Sequence, residues 1–329
     1  MKPKVYITRK IPAEIVSKLT SYFNVTMWEE ENEPVPREVL EQEIKEADGL
    51  YCLLTEKIDA ELMERAKKLK IISTMAVGYN NIDVQAATDR GIIVTNTPGV
   101  LTETTADLTF SLLMATSRRL MEASNFLRNG EWKTWSPLLL SGQDIHGATL
   151  GIIGFGNIGQ AVARRAMGFN MNVLYYNRSR KIDAEKEIGV TYVEMEKLLR
   201  ESDFICILTP FTKETKHLID KYELSLMKKS SILINTSRGE VVNEEALYEA
   251  LKLGQIWAAG LDVFQQEPVP IDHPLLTLPN VVTLPHIGSA SIQTRMAMAN
   301  LAAQNLIEGL HGKNPKYTIN PMVLRSKQV

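Results

Sequence analysis

Three short stretches of this chain carry side chains that could grip an anion and move a proton. Ile234-Asn235-Thr236-Ser237-Arg238-Gly239 offers a guanidinium. Gly260-Leu261-Asp262-Val263-Phe264-Gln265-Gln266-Glu267-Pro268 offers a carboxylate, and Leu284-Pro285-His286-Ile287-Gly288-Ser289 offers an imidazole. Each follows an apolar run that predicts a strand, at 231–234, 259–261 and 281–284. In open α/β sheets, sites are built at the C-terminal ends of strands. The set suits reduction of a keto acid. A substrate carboxylate wants a fork of donors, which Arg238 supplies. A carbonyl gaining hydride wants a proton donor poised near neutral pH, and His286 meets that need when a carboxylate such as Glu267 holds it protonated. Taken singly, each motif also reads as a structural loop, a surface turn or a loop corner. Their combination with a dinucleotide fingerprint gives them meaning.

That fingerprint is Thr149-Leu150-Gly151-Ile152-Ile153-Gly154-Phe155-Gly156-Asn157-Ile158-Gly159-Gln160, which reads as strand, glycine turn and helix. Gly154 permits the tight turn, Gly156 lets backbone approach a pyrophosphate, and Gly159 lets helix and strand pack closely. The helix N-terminus at Asn157 and Ile158 aims N–H groups at phosphate. A lone glycine pattern is weak, but here a second strand, 172–176, ends about twenty residues on, as the motif requires.

The end of that second strand discriminates between cofactors. A site for NAD places Asp or Glu there for the ribose 2′-hydroxyl. This chain has Tyr176-Asn177-Arg178-Ser179-Arg180-Lys181, with cations and a hydroxyl but no carboxylate. Guanidinium matches phosphate oxygens bidentately. The segment therefore predicts NADP(H) as the preferred cofactor, held by Arg178, Ser179 and Arg180, with Asn177 where the acid would stand and NAD(H) as the lesser alternative. An exposed basic loop without a ligand is the bland reading.

These motifs need a scaffold. The first hundred residues alternate strands (5–7, 25–28, 49–54, 71–75 and 92–94) with helices (12–22, 37–47, 59–68 and 81–90). Such alternation means βαβ units and a parallel sheet. A long helix follows at 102–120, then a polar loop with tryptophans at 129–147. A second series has strands at 150–153, 172–176, 204–208, 231–234, 259–261 and 281–284, and a final amphipathic helix runs over 292–310. The fold class is α/β, with two Rossmann-like or flavodoxin-like parallel-sheet domains and an active-site cleft between them. Residues 1–99 with 289–329 form the substrate-binding domain and 100–288 the dinucleotide-binding domain, with hinges near Pro98-Gly99 and Ile287-Gly288.

Bulk properties narrow the classes. The 329 residues suffice for two ordinary cores. A net charge of -2 without like-charge runs gives no footprint for nucleic acid. No window approaches the ~18 apolar residues of a membrane span, and no apolar stretch follows the first lysines as in a signal peptide. The two cysteines, Cys52 and Cys206, sit in apolar runs and read as buried free thiols, which suits a reducing, cytoplasmic setting. His146, His217, His273 and His311 show no mutual metal spacing and read as structural or solvent-facing, so no metal is expected.

With these motifs in view, the chain resembles the D-isomer-specific 2-hydroxyacid dehydrogenase family over essentially its whole length, and within it the glyoxylate/hydroxypyruvate reductases. Gly154 to Gly159, Ser237-Arg238-Gly239, Gly260 to Phe264 with Glu267-Pro268, and Pro285 to Ser289 carry the resemblance. It implies that His286 is the general acid/base, that Glu267 orients and charges it, and that Arg238 binds the substrate carboxylate and polarises the keto group. It implies Val77 and Gly78 as backbone donors to that carboxylate. It places Thr105, Thr209, Pro210, Thr236, Asp262 and Gly288 around the cofactor. It also implies a homodimer with the 102–120 helix in the interface. Trp135 resembles an aromatic that reaches a partner's substrate pocket; simple packing in an interface loop remains open for it. Asn157 stands where many relatives have Arg, a contact that backbone can replace.

The sequence thus predicts NADP(H)-dependent reduction of small 2-keto acids, such as glyoxylate and hydroxypyruvate, to D-2-hydroxy acids. A 2-ketogluconate reductase is the alternative substrate reading. A dinucleotide-sensing, corepressor-like interaction protein is the alternative of another class. The complete Arg238, Glu267 and His286 set does not exclude that rival, but no recruitment segment or disordered tail supports it.

Overall fold

The structure, a computed structural model, describes residues 2–325. The chain forms two compact units. One holds residues up to Leu101 and from Ser291 onward, and the other is Thr102–Ala290. Both crossings lie two residues beyond the boundaries read from the sequence, because each falls where a helix begins. The Thr102–Ser117 helix opens the second unit. Ser291 caps the Ile292–Leu310 helix of the first, its Oγ accepting the Thr294 N–H at 3.2 Å.

The first unit is built on a five-stranded sheet: β1 (Lys4–Ile7), β2 (Asn24–Met27), β3 (Gly49–Cys52), β4 (Ile71–Thr74) and β5 (Ile93–Thr95). The order is β2-β1-β3-β4-β5 and every pairing is parallel. This is a doubly wound, flavodoxin-like order. The β3 and β4 strands are buried at all four positions, which is why they read as apolar runs rather than alternations. Successive side chains supply opposite faces. Leu50, Ile72 and Val94 pack with Leu40 and Leu62 on one side. Tyr51, Ile71 and Ile93 pack with Ile15, Leu19 and Leu306 on the other.

The Ile292–Leu310 helix therefore returns to the sheet from far along the chain. Two polar strand residues fasten it. Ser73 Oγ donates to the Ala302 carbonyl at 2.9 Å and Tyr51 OH to the Ala299 carbonyl at 3.3 Å. Gly49 makes room, since a Cβ there would stand 2.9 Å from Leu306 Cδ2.

The second unit has seven parallel strands: β6 (Thr149–Ile153), β7 (Asn172–Tyr176), β8 (Thr191–Tyr192), β9 (Phe204–Ile207), β10 (Ile232–Asn235), β11 (Ala258–Leu261) and β12 (Val281–Thr283). Their order is β12-β11-β10-β9-β6-β7-β8, so the winding reverses between β6 and β9. That is the dinucleotide-fold order with one added edge strand. Two elements were not apparent in the sequence. One is the two-residue edge strand β8. The other is a helix at Leu120–Arg128. The preceding helix, expected to reach residue 120, stops at Ser117, because the Gln143 N–H donates to the Ser117 carbonyl at 2.9 Å and takes the acceptor that another turn would use. Arg119 then turns through a left-handed conformation, φ 52°, and the new helix starts.

Packing predicts the cost of loosening the first unit. Leu306 is fully buried between the last helix and the sheet, so Leu306→Ala should destabilise that unit by about 2–5 kcal/mol. Ile292→Ala on the same helix, at an exposed site, should change stability by less than about 0.5 kcal/mol. Urea unfolding followed by far-UV circular dichroism checks both.

Candidate active site

The switch between β6 and β9 shapes the dinucleotide segment. Leu208 N–H donates to the Ile153 carbonyl at 2.7 Å, carrying the ladder past the strand ends. Gly154 has φ 96°, and a Cβ there would stand 2.6 Å from the Leu208 carbonyl carbon and the Thr209 nitrogen. A Cβ on Gly159 would overlap the Gly154 carbonyl oxygen. The chain itself thus explains two of the three glycines. It does not explain Gly156, whose Cβ would meet nothing within 4 Å. Gly156 leads into the Asn157–Met167 helix without any side-chain cap on its first N–H groups. An open glycine before uncapped helical donors fits a dinucleotide pyrophosphate. On the β9 side, Thr209 is half-buried beside Gly154 and Pro210 is exposed, its carbonyl accepting the Thr215 hydroxyl at 2.8 Å.

The residues after β7 divide by task. Asn177 Oδ1 accepts the Phe155 N–H at 3.1 Å while its Nδ2 donates to the Ser179 carbonyl at 2.8 Å. Asn177 therefore ties the glycine turn to the basic loop. Arg180 makes a two-pronged ion pair with Glu185, at 2.8 and 2.7 Å, and does not point a free guanidinium outward. That pairing holds the Glu185 carboxyl down at about 2, helped by the Tyr175 hydroxyl. Arg178 is exposed and makes no hydrogen bond or ion pair with any described residue. Ser179 is exposed beside it.

The three motifs that carry Arg238, Glu267 and His286 hang from neighbouring strands β10, β11 and β12. The parallel ladder continues beyond the strands: Asp262 N–H donates to the Asn235 carbonyl (3.0 Å), Leu284 N–H to Leu261 (2.8 Å) and His286 N–H to Asp262 (2.8 Å). Asp262 grips the histidine loop again with its side chain. Oδ1 accepts the Ile287 N–H and Oδ2 the Gly288 N–H, both at 2.8 Å. Burial pushes this carboxyl up, against the pull of those two N–H groups and of His286. The grip holds His286 at φ 54°, a left-handed conformation that costs a non-glycine residue about 1–3 kcal/mol.

His286 Nδ1 faces Glu267 Oε2 at 2.6 Å, and Glu267 Oε1 accepts the Phe264 N–H at 2.9 Å. Burial pushes the Glu267 carboxyl up, but the hydrogen bond and charge of His286, the Phe264 N–H and the charge of Arg238 outweigh it. The carboxyl ends below its usual range, as an anion. Its charge lets Nδ1–H donate to it, leaving Nε2 as the nitrogen that makes no hydrogen bond with a described residue.

Arg238 follows β10 in a turn shaped by Asn235, which is buried. Asn235 Oδ1 accepts both the Ser237 N–H (3.0 Å) and Ser237 Oγ (2.9 Å), and Nδ2 donates to the Arg238 carbonyl (2.9 Å). The guanidinium is half-buried, and desolvation lowers its pKa while the charges of Glu267 and Glu240 act to raise it. Beside this group, Thr236 Oγ1 and Thr109 Oγ1 lie 2.7 Å apart, Thr109 Oγ1 donates to the Thr105 carbonyl (2.8 Å), and a Cβ on Gly288 would sit 3.6 Å from Thr105 Cγ2. Thr105, Thr236, Asp262 and Gly288 are thus assembled around the loops that carry Arg238 and His286.

Thr109 and the shaping role of Asn235 were missed from the sequence. A helical threonine facing a strand end has no local signature; the contact exists only once the Thr102–Ser117 helix packs on the sheet. Trp135 lies in the same unit and is 75% exposed. Val77 and Gly78 belong to the other unit. They follow β4 in a loop where Asn96 Nδ2 donates to the Val77 carbonyl at 2.8 Å and Thr97 N–H to the Ala76 carbonyl at 2.9 Å. Cys52 and Cys206 are free and buried. Among the described residues no group of His, Cys, Asp and Glu could hold a metal ion, and no helix is long and apolar enough to cross a membrane.

Residues 110–288 match the family described as D-isomer specific 2-hydroxyacid dehydrogenase, NAD binding domain. The chain is 53% identical over 326 residues to a glyoxylate reductase of Korarchaeum cryptofilum, covering 99% of this chain and 98% of that one. Among solved structures, a Thermus thermophilus protein superposes with a TM-score of 0.90 at 44% identity, covering 96% of this chain and 99% of the other. An NADPH-dependent glyoxylate/hydroxypyruvate reductase of Sinorhizobium meliloti, in complex with NADP and malonate, gives 0.85 at 33% identity, covering 97% of each chain. With a dinucleotide fold, an open Gly156 and a paired histidine and carboxylate already in place, this chain belongs to the D-isomer-specific 2-hydroxyacid dehydrogenase family, as an NAD(P)-dependent enzyme of that family.

Proposed function

We propose that the chain reduces glyoxylate-type 2-keto acids, hydroxypyruvate included, to 2-hydroxy acids with NADP(H) preferred over NAD(H), and that His286 donates the proton. The 2.6 Å contact between His286 Nδ1 and Glu267 Oε2 carries this reading. It fixes the ring, with Nδ1 held by the carboxylate, and leaves Nε2 to give its proton to the keto oxygen. The bound nicotinamide supplies hydride. Arg238 grips the substrate carboxylate and polarises the carbonyl, its poorly solvated guanidinium interacting more strongly than it would in water. Val77 and Gly78 are proposed as backbone donors to a substrate carboxylate. The names of the Korarchaeum and Sinorhizobium relatives support the substrate class.

The NADP(H) preference rests on the missing carboxylate after β7 and on Arg178, whose guanidinium makes no hydrogen bond or ion pair with a described residue, though its charge acts on the Glu214 carboxyl; Ser179 is proposed as its companion. Arg180 does not join them in this arrangement, since Glu185 holds it.

A homodimer is also proposed, on different grounds from those the sequence offered. The Thr102–Ser117 helix is largely buried within its own unit. The Leu120–Arg128 helix buries none of its residues, and Leu120, Met121 and Leu127 are exposed near Trp132, Trp135 and Leu138 in sequence. So many exposed large apolar residues within one stretch of chain are the ground for the proposed interface.

Three measurements test these proposals. His286→Asn should lower kcat for keto-acid reduction by roughly 10²–10⁴ with cofactor affinity little changed; a variant keeping half its rate would remove His286 from the mechanism. Arg178→Ala should cost NADPH roughly ten- to a hundredfold in kcat/KM and leave NADH nearly unaffected, as expected for loss of a charged hydrogen bond. Equal losses with both cofactors would reduce the loop to a solvated turn. Sedimentation equilibrium should give the mass of two chains, and Leu127→Asp should shift it towards one; a monomeric parent protein would refute the dimer.

A further inference from the structure

The two successive peptides that meet at Phe264 form a shared support. The Phe264 N–H, which belongs to the Val263–Phe264 peptide, binds Glu267 Oε1 at 2.9 Å, so the carboxylate that faces His286 hangs from the first of them. The Arg238-Gly239 turn leans on the second, Phe264–Gln265, since a Cβ on Gly239 would overlap the Phe264 carbonyl group and the Gln265 nitrogen. A shift here moves the guanidinium turn and the carboxylate together.

What holds the peptide lies outside the site described above. Glu244, first residue of the Glu244–Lys252 helix, accepts the Gln265 N–H on Oε1 at 2.8 Å. Its Oε2 pairs with His273 Nε2 at 3.2 Å. Both side chains are largely buried, at 14% and 19% exposure. The His273 ring also stands edge-on to Phe264, with centroids 5.9 Å apart, and its buried Nδ1 has no hydrogen-bond partner among the described residues. Gln265 adds a second tie, Nε2 donating to the Val242 carbonyl at 2.8 Å. Two consecutive main-chain N–H groups, at 264 and 265, are thus each taken by a carboxylate, one catalytic and one not.

We propose that Glu244 is a positioning residue, which sets the Glu267–His286 pair and the Arg238 turn by holding the Gln265 N–H, with His273 fixing the orientation of its carboxylate. The inference rests on the proposed role of His286 and Glu267. An acid in the first turn also stabilises its helix, so a merely structural Glu244 would affect unfolding and not the chemistry.

Three substitutions separate these roles. Glu244→Asp keeps the charge at the helix terminus but is one methylene too short to keep the 2.8 Å contact. Glu244→Gln keeps an oxygen for the Gln265 N–H. Glu244→Ala removes both. The readouts are kcat and KM for glyoxylate and for NADPH, beside the urea midpoint. Glu244→Asp and Glu244→Ala should lower kcat by roughly ten- to a hundredfold, the scale of a displacement near 1 Å in a catalytic group. The cofactor KM should stay unchanged. Glu244→Gln should restore most of the rate. A folded Glu244→Asp protein with the parent rate would overturn the proposal, as would a Glu244→Gln protein as impaired as Glu244→Asp. If Glu244→Ala does not fold, the Asp and Gln variants decide. His286→Asn, assayed in parallel, keeps the two failures apart: a normal rate there would sink the underlying mechanism, whereas a normal rate in Glu244→Asp alone would sink only this inference.

Discussion

The parallel ladder joining β10, β11 and β12 is the constraint on which the geometry of the proposed catalytic groups depends. Three strand ends lie side by side, and their main-chain hydrogen bonds run on past the strands, from Asp262 to Asn235 and from His286 to Asp262. Arg238, Glu267 and His286 are far apart in sequence, yet each is only a few residues from a fixed main-chain anchor. A catalytic group so placed needs only a short, well-held loop to reach its working position.

The loops show how that hold is made. Each uses a polar side chain to satisfy main-chain donors that the sheet no longer serves. Asn235 closes the Arg238 turn, Asp262 takes two N–H groups beyond His286, and Glu267 takes the Phe264 N–H while facing the histidine. Buried N–H groups left unpaired would each cost about 1–3 kcal/mol, so these side chains define the loop shape as well as tolerate it. The cost appears at His286, which sits in a left-handed conformation that only such a grip sustains. Burial pushes both the Asp262 and the Glu267 carboxyls up, yet Glu267 remains an anion because a histidine and an arginine face it. Two carboxylates a few residues apart therefore serve different ends, one fastening the histidine loop and one facing the His286 ring.

The glycines of the cofactor segment separate in the same way. Gly154 and Gly159 are demanded by close approach of the chain to itself, whereas Gly156 faces open space. Of the three, Gly156 is the one whose requirement the chain's own packing does not explain. The basic loop after β7 also splits: Asn177 is tied to Phe155 and Ser179, Arg180 is paired, and Arg178 stays outside both arrangements.

By itself the sequence determined the α/β alternation, the β6–turn–helix unit and the three motifs at strand ends. These are local: apolar runs, glycine spacing and the few residues after each run record them directly. The tertiary structure decided what no local pattern encodes. The Thr102–Ser117 helix ends where Gln143 caps it, not where its apolar pattern fades, and an uncovered helix follows. Thr109 reaches Thr236, and Glu244 reaches Gln265, across separations of 127 and 21 residues. A side chain's type says which bonds it can make; which partner it meets depends on how helices and strands pack, and that distance along the chain is invisible to any window of sequence.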